Sequence, residues 1–251
     1  MKFNPAMACA LALACAPQAA FAADLMTRMP AAVAPPAMAT TYDWSGAYVG
    51  GQIGYGWGSS ETGSPSFYQF PSGDYYATGI AGFGLNTAGA IGGVEAGYGW
   101  QSHGLYVGIE ADASASGIKG SYTDDVNKFS VDSTLQWLST ARVRVGLPID
   151  RILLFASGGV AVGGVRGDLH DFYNAGTINS SSSSTNVGWT IGAGAAVALS
   201  QRWTVKAEYL YADLGSQKYD FVEPTGPDWS HIATSAHTTA SVARVALDYR
   251  F

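Results

Sequence analysis

The sequence predicts an all-β protein, an eight-stranded antiparallel transmembrane up-and-down β-barrel. Three observations predict it. Apolar side chains recur at every second position in eight segments, the connections between them alternate between long and short, and charged residues make up only 13% of the 251 positions. Soluble domains carry about 25% charge. Gly reaches 32 residues and aromatics 12%, a composition suited to a surface that meets lipid. The apolar stretches Ile152–Val165 and Asn186–Gln201 are short and broken by glycines, so neither reads as a membrane helix of roughly 20 residues. A chain that meets lipid without such helices must satisfy its backbone between strands, in a closed barrel.

The N-terminus predicts export. Lys2 gives a positive start, Ala6–Ala16 is a short apolar core, and Ala20-Phe21-Ala22 has the small-x-small form of a cleavage site. Residues 1–22 are therefore read as a signal peptide cleaved near Ala22. Both cysteines, Cys9 and Cys15, lie inside it, so the mature chain holds no thiol for a disulfide, a metal or a nucleophile. The formal net charge is −6, and −7 once Lys2 is removed, which argues against a nucleic-acid partner. Residues 23–42, with Pro30, Pro35 and Pro36, have no period and read as a flexible periplasmic lead-in. The barrel is assigned to residues 43–251.

Each lipid-facing strand needs about 9–11 residues with apolar side chains at alternate positions. In Ala47–Trp57, Ala47, Val49, Ile53, Tyr55 and Trp57 share one face, with Tyr48 and Gln52 on the other. Ala88–Gln101 sets Ala90, Val94, Ala96, Tyr98 and Trp100 against Glu95 and Gln101. Leu105–Ile118 sets Leu105, Val107, Ile109, Ala111 and Ala113 against Tyr106, Glu110, Asp112 and Ser114. Ser133–Leu147 sets Leu135, Trp137, Ala141, Val143, Val145 and Leu147 against Gln136, Thr140, Arg142 and Arg144. Ile152–Val165 is apolar on both faces; Leu154, Ala156, Val160 and Val162 are taken as outward. Val187–Leu199 turns Val187, Trp189, Ile191, Val197 and Leu199 one way. Arg202–Ala212 sets Trp203, Val205, Ala207, Tyr209 and Tyr211 against Thr204, Lys206 and Glu208. His237–Phe251 sets Val245, Leu247, Tyr249 and Phe251 against Arg244, Asp248 and Arg250.

The loops sort by parity. Long connections fall at Gly58–Thr87, Lys119–Asp132, Arg166–Asn186 and Asp213–Ala236, and short ones at Ser102–Gly104, Pro148–Arg151 and Ser200–Gln201. Short periplasmic turns and long outer loops are the habit of bacterial barrels. Trp57, Trp137, Trp189 and Tyr211 then fall near outer strand ends, and Trp100, Trp203, Tyr249 and Phe251 near periplasmic ends, as membrane-interface girdles.

Four stretches resemble a known family: Tyr42–Gly58, Ser139–Ala161, Trp203–Gly215 and Arg244–Phe251. They are similar to the small outer-membrane barrels of alphaproteobacteria, the Brucella-type major outer-membrane proteins and related haem-binding barrels of OmpA-like fold. The resemblance implies location in the cell outer membrane, lipid as the main partner, and recognition of the terminal Phe251 by the barrel-assembly machinery. It supplies no catalytic residues to carry over.

Glu95, Glu110, Asp112, Arg142, Arg144, Lys206, Glu208, Arg244 and Asp248 all fall opposite the lipid face, so the alternation predicts an ion network in the barrel interior. An eight-stranded barrel is only wide enough for side chains to fill. His170, His231 and His237 fall in or beside outer loops, where they could approach one another as haem or metal ligands; solvated loop histidines are the simpler reading, and no cofactor is expected. Asp168, Asp171 and Asp228 lie near His170 and His231 without a spacing that orients an acid–base pair, so no enzyme is expected. The expected role is a structural outer-membrane barrel whose four outer loops serve envelope integrity and contact with an extracellular ligand. A narrow porin for small solutes and a haem-binding protein are the alternatives.

Overall fold

Among the described residues, ten strands form one antiparallel sheet whose first and last long strands meet. The computed structural model describes residues 42–64, 66–69, 74–77, 82–124, 129–171, 178–222 and 230–251. The strands are β1 (Gly46–Thr62), β2 (Ser66–Gln69), β3 (Asp74–Ala77), β4 (Gly84–Ser102), β5 (Leu105–Asp124), β6 (Phe129–Ile149), β7 (Ile152–Asp171), β8 (Ile178–Ala198), β9 (Trp203–Val222) and β10 (Ser230–Arg250). The eight long strands pair in the order β1-β4-β5-β6-β7-β8-β9-β10, and β10 returns to β1. That seam runs from Tyr48 opposite Arg250 to Thr62 opposite Ala236. The Phe251 N–H adds a bond to the Ala47 carbonyl at 3.0 Å. The predicted eight-stranded barrel is the observed one.

The alternation read from the sequence is the alternation of exposure. Ile53, Val94, Ile109, Val143, Leu154, Val160, Val187, Ile191 and Val245 stand exposed on the outer surface, with charged residues turned inward. Strand β7, apolar on both faces, sends Leu154 and Val160 out and buries Leu153, Phe155 and Ala161. The turn between β4 and β5 is a two-residue hairpin in which His103 (φ 49°) and Gly104 (φ 77°) both take positive φ. A type I′ turn requires this at both central positions.

Three features depart from the sequence reading. First, a β-bulge between Leu135 and Trp137 slips the phase of β6. Leu135 is 5% exposed and faces the interior, not the lipid, and Gln136 is exposed rather than inward. One extra residue on a strand shifts every side chain beyond it to the other face. Second, the strands run well past the expected outer ends, through much of Lys119–Asp132, Arg166–Asn186 and Asp213–Ala236. Trp57, Trp137, Trp189 and Tyr211 accordingly lie well short of the outer strand ends. Third, part of Gly58–Thr87 forms the β2–β3 hairpin, with β2 pairing onto the outer end of β10.

The aromatics still lie in two bands. Outside the lumen, Trp57 packs near Tyr209 (6.1 Å between rings) and Trp189 near Tyr211 (5.6 Å). At the other end, Trp203 meets Tyr249 at 5.2 Å, Tyr249 meets Phe251 at 5.3 Å, and Tyr98 meets Trp100 at 4.8 Å. Trp203 and Tyr211 on β9 are separated by roughly 27 Å of strand. At a tilt of about 40° that spans about 20 Å of depth, close to the apolar band of an outer-membrane barrel. Beyond the outer band the exposed face becomes polar, with Glu61, Ser181, Ser183, Thr185, Ser216 and Lys218.

One seam opens in that polar region. Strands β8 and β9 pair from Trp189–Asp213 inward to Ala198–Thr204, and among the described residues no ladder joins them farther out. There β8 stays paired with β7 as far as Ile178, and β9 with β10 as far as Val222.

Candidate functional site

The lumen is filled in three layers. At the mouth nearest both ends of the sheet's chain, Trp44 (1% exposed) packs with Tyr42, Tyr106, Leu153, Phe155, Ala196 and Ala198. Tyr42, the last residue of the segment read as lead-in, is thus folded into the mouth; residues 23–41 lie outside the described residues. Polar bonds fix this plug. The Trp44 N–H donates to Gln101 Oε1 at 2.9 Å, and the Gln101 N–H donates to Ser45 Oγ at 3.0 Å. The Ser45 N–H donates to Asp43 Oδ1 at 2.9 Å, which holds the Asp43 carboxyl below its ordinary pKa. Arg250, from the far end of the chain, donates to the Trp44 carbonyl and lies over the Trp44 and Tyr48 rings, 5.6 and 5.3 Å from their centroids.

The middle layer is ionic. Arg142 bonds Glu110, reaches Glu208 at 2.6 Å and Asp112 at 3.1 Å. Arg144 reaches Glu110 at 2.7 Å and stacks 3.7 Å over the Phe155 ring, joining this layer to the plug. Lys206 Nζ bridges Glu95 at 2.5 Å and Glu110 at 2.8 Å. Arg244 bonds Glu208 at 2.7 Å and Asp112 at 3.3 Å. Asp248, buried at 4% exposure, sits in one register row with Gly50 and Glu95. Gly50 has a steric reason: a Cβ there would lie 2.0 Å from Asp248 Oδ1. All nine charged residues that the sequence assigned to the interior are buried, and the structure brings eight of them into direct ion pairs.

Sequence reasoning missed several members. Tyr48 donates to Glu110 at 2.7 Å and accepts from Arg144 at 2.9 Å. Thr140 donates to Asp112, and Ser157 donates to Glu208 at 3.1 Å. Their signal was available, since each occupies the interior phase of its strand. Arg250 was placed on that phase too, and the structure gives it to the plug, on the Trp44 carbonyl. With it, five buried cations face five buried carboxylates among the described residues. Unpaired charge in a low-dielectric interior is costly, so the balance is what this layer requires.

The outer layer is aliphatic. Ile91, Ile118, Leu135, Leu138, Val165, Leu210, Leu214 and Val242 form one buried cluster between the ions and the outer mouth. Leu135 belongs to it because of the bulge. The small space left beside Gln52, Asp112, Ser114 and Arg244 holds about 10 Å³, room for roughly one water.

Two of the three outer histidines are held apart by their strand. His231 and His237 lie on the same strand, β10, six residues apart, roughly 20 Å along it. His237 instead faces Asp213, with Nε2 3.5 Å from Oδ1, and contacts Ser216 Oγ at 3.2 Å. The backbone of His170 is in β7, opposite Asn179 of β8; the side chains of His170 and His231 lie outside the described residues. Among the described residues no group of three His, Cys, Asp or Glu could hold a metal ion.

Comparison with known proteins agrees with this architecture. The family described as "Outer membrane protein beta-barrel domain" matches residues 6–251. The 31 kDa outer-membrane immunogenic protein of Brucella melitensis is 31% identical over 236 residues, covering 92% of this chain and 93% of that protein. The 22 kDa outer membrane protein of Rhizobium leguminosarum bv. viciae is 33% identical over 145 residues, 58% of this chain and 62% of that one. Among solved structures, the outer membrane protein OprG from Pseudomonas aeruginosa shares the fold, with a TM-score of 0.50 at 10% identity, over 82% of this chain and 97% of that one. A closed barrel with a greasy exterior, matched along nearly its whole length, leaves one conclusion: this chain belongs to the outer-membrane β-barrel family and is a protein of the outer membrane.

Proposed function

We propose that the protein is a sealed, structural barrel, one that holds its place in the envelope and offers its outer walls for contact, without conducting solutes. The single observation that carries this reading is the stacking of an aromatic plug, an ion layer and an aliphatic layer along one lumen. A hydrated ion would have to displace Trp44 or part the aliphatic cluster. Purified protein in planar bilayers should give no conductance steps. Regular steps at neutral pH would overturn the sealed reading and favour the narrow porin.

Several parts of this reading concern the rest of the chain. Residues 1–22 act as the export signal, removed near Ala22, and residues 23–41 lead from it to the plug. The exposed ring of Phe251 (77%) at the end of β10 suits capture of the last strand by the assembly machinery. Asp168 is held by Arg166 Nε at 3.0 Å, which supports a surface ion pair rather than an acid–base site. The separation of His231 from His237 speaks against haem held between them.

A further inference from the structure

We infer that the outer half of β8 is an acceptor edge for an extended polypeptide strand, and that the protein binds its extracellular partners there by adding a strand to its wall. This rests on the proposal that the outer walls are the contact surface, and it names the partner chemistry. Outward of Trp189, β8 is hydrogen-bonded to β7 along one side, and among the described residues it has no ladder partner on the other. The strands part for a local reason. Between Asp213 and Ser216 the register of β9 against β10 slips, and Gly215 takes φ 68°. The Gly215 N–H turns back to Asp213 Oδ1 at 2.8 Å. A bulge with glycine in the left-handed region bends and twists its strand and ends pairing, so the β8–β9 ladder stops here, with Gly188 still against Asp213 and Leu214 and the open edge beginning at Asn186.

The two edges differ in chemistry. Proteins guard open edges with lysine, proline, charge or a bulge. Strand β9 carries such guards in Gly215, Lys218 and Asp220. The outer segment of β8, Ile178–Gly188 (INSSSSSTNVG), carries none: no charge, no proline and no register slip. Ser181, Ser183 and Thr185 stand exposed and keep its outward face wet. For a free edge of this kind, only another extended backbone presents donors and acceptors at the matching spacing. At the base of the gap, Asn186 is 0% exposed and neither its amide nitrogen nor its amide oxygen has a partner.

The test uses the mature chain in lipid nanodiscs and hydrogen exchange of the β8 amides read by mass spectrometry. The probe is a capped peptide of alternating Thr and Val; controls are the same peptide N-methylated at alternate residues and a soluble oligosaccharide. In the free barrel, the amides of residues 181–186 that do not bond β7 should exchange rapidly. The peptide at about 1 mM should slow them about tenfold, and the N-methylated form should not. Ser183→Lys with Thr185→Lys, both on the exposed face, should abolish the slowing while keeping the heat-dependent gel mobility of a closed barrel. Edge amides already protected without peptide, equal protection by the N-methylated form or the oligosaccharide, or no protection at all would each overturn the inference. Conductance would sink the sealed-barrel reading without touching these amides.

Discussion

Glu110 accepts from Tyr48, Arg142, Arg144 and Lys206 at once, which makes it the hinge of the ion layer. Glu110→Gln would keep the shape and remove the carboxylate that Arg144 pairs with, while Arg142 keeps Asp112 and Glu208, and Lys206 keeps Glu95. It should cost about 3–5 kcal/mol, read as a lower urea midpoint of the barrel in lipid vesicles. Replacing Arg144 together with Glu110 by neutral residues should restore part of that loss; an equal or larger loss would mean the pair is not coupled. Asp43 gives a pH prediction of opposite character. Its carboxyl is exposed and held below its ordinary pKa by the Ser45 amide. A depressed value in the folded state means the stabilisation is complete above the unfolded pKa, about 3.9, and is lost as pH falls through the folded value. In a variant keeping Trp44 as its sole tryptophan, emission should therefore shift to longer wavelength only in acid below about pH 4, and Asp43→Asn should remove that dependence.

At the scale of the strand, legibility depends on contrast between the two faces. Where lipid lies on one side and ions on the other, as along Leu105–Ser114, alternation in the sequence gives the strand and its orientation together. Beyond the aromatic band both faces are wet, and Ser180–Ser184 reads as a loop although it ladders with Val165–Leu169 of β7. The bulge at Leu135 was hidden for another reason. Leu135-Gln136-Trp137 keeps an apolar-polar-apolar reading in either phase, so only pairing reveals the slip. The parting of β8 and β9 hangs on one glycine after an aspartate, a pair common in any turn. Two substitutions probe the lipid-facing strand surface. Val245→Arg, between the aromatic bands of β10, should destabilise by about 2–4 kcal/mol, checked by folding titrations into vesicles. Trp203→Ala loses its edge contact with Tyr249 and should cost about 0.5–1.5 kcal/mol beyond the lost apolar area, by the same measurement.

For the molecule as a whole, the sequence carried the strand count, the closure and the inward turn of the charges. What it could not carry was which charges meet, because Arg142 and Glu208 are joined only when β6 and β9 face each other across the lumen. Nor could it order the lumen into layers, since Tyr106, Glu110 and Ile118 sit on one strand and enter three different environments. The ladder is continuous around the girdled part of the barrel, so that part should melt as one unit. Unheated sample should run ahead of boiled sample in detergent gels, and a single band regardless of heating would contradict closure. The contact between Arg250 and Trp44 spans 206 positions and joins a residue before the first strand to the penultimate residue of the chain. It works as a clasp: no partly zipped sheet can fasten it, because both halves come together only when the two ends of the wall touch. Darkening of that indole from water is thus a built-in signal that the ring has shut, and a chain lacking its last two residues, refolded into lipid vesicles without the assembly machinery, should insert yet leave the indole wet.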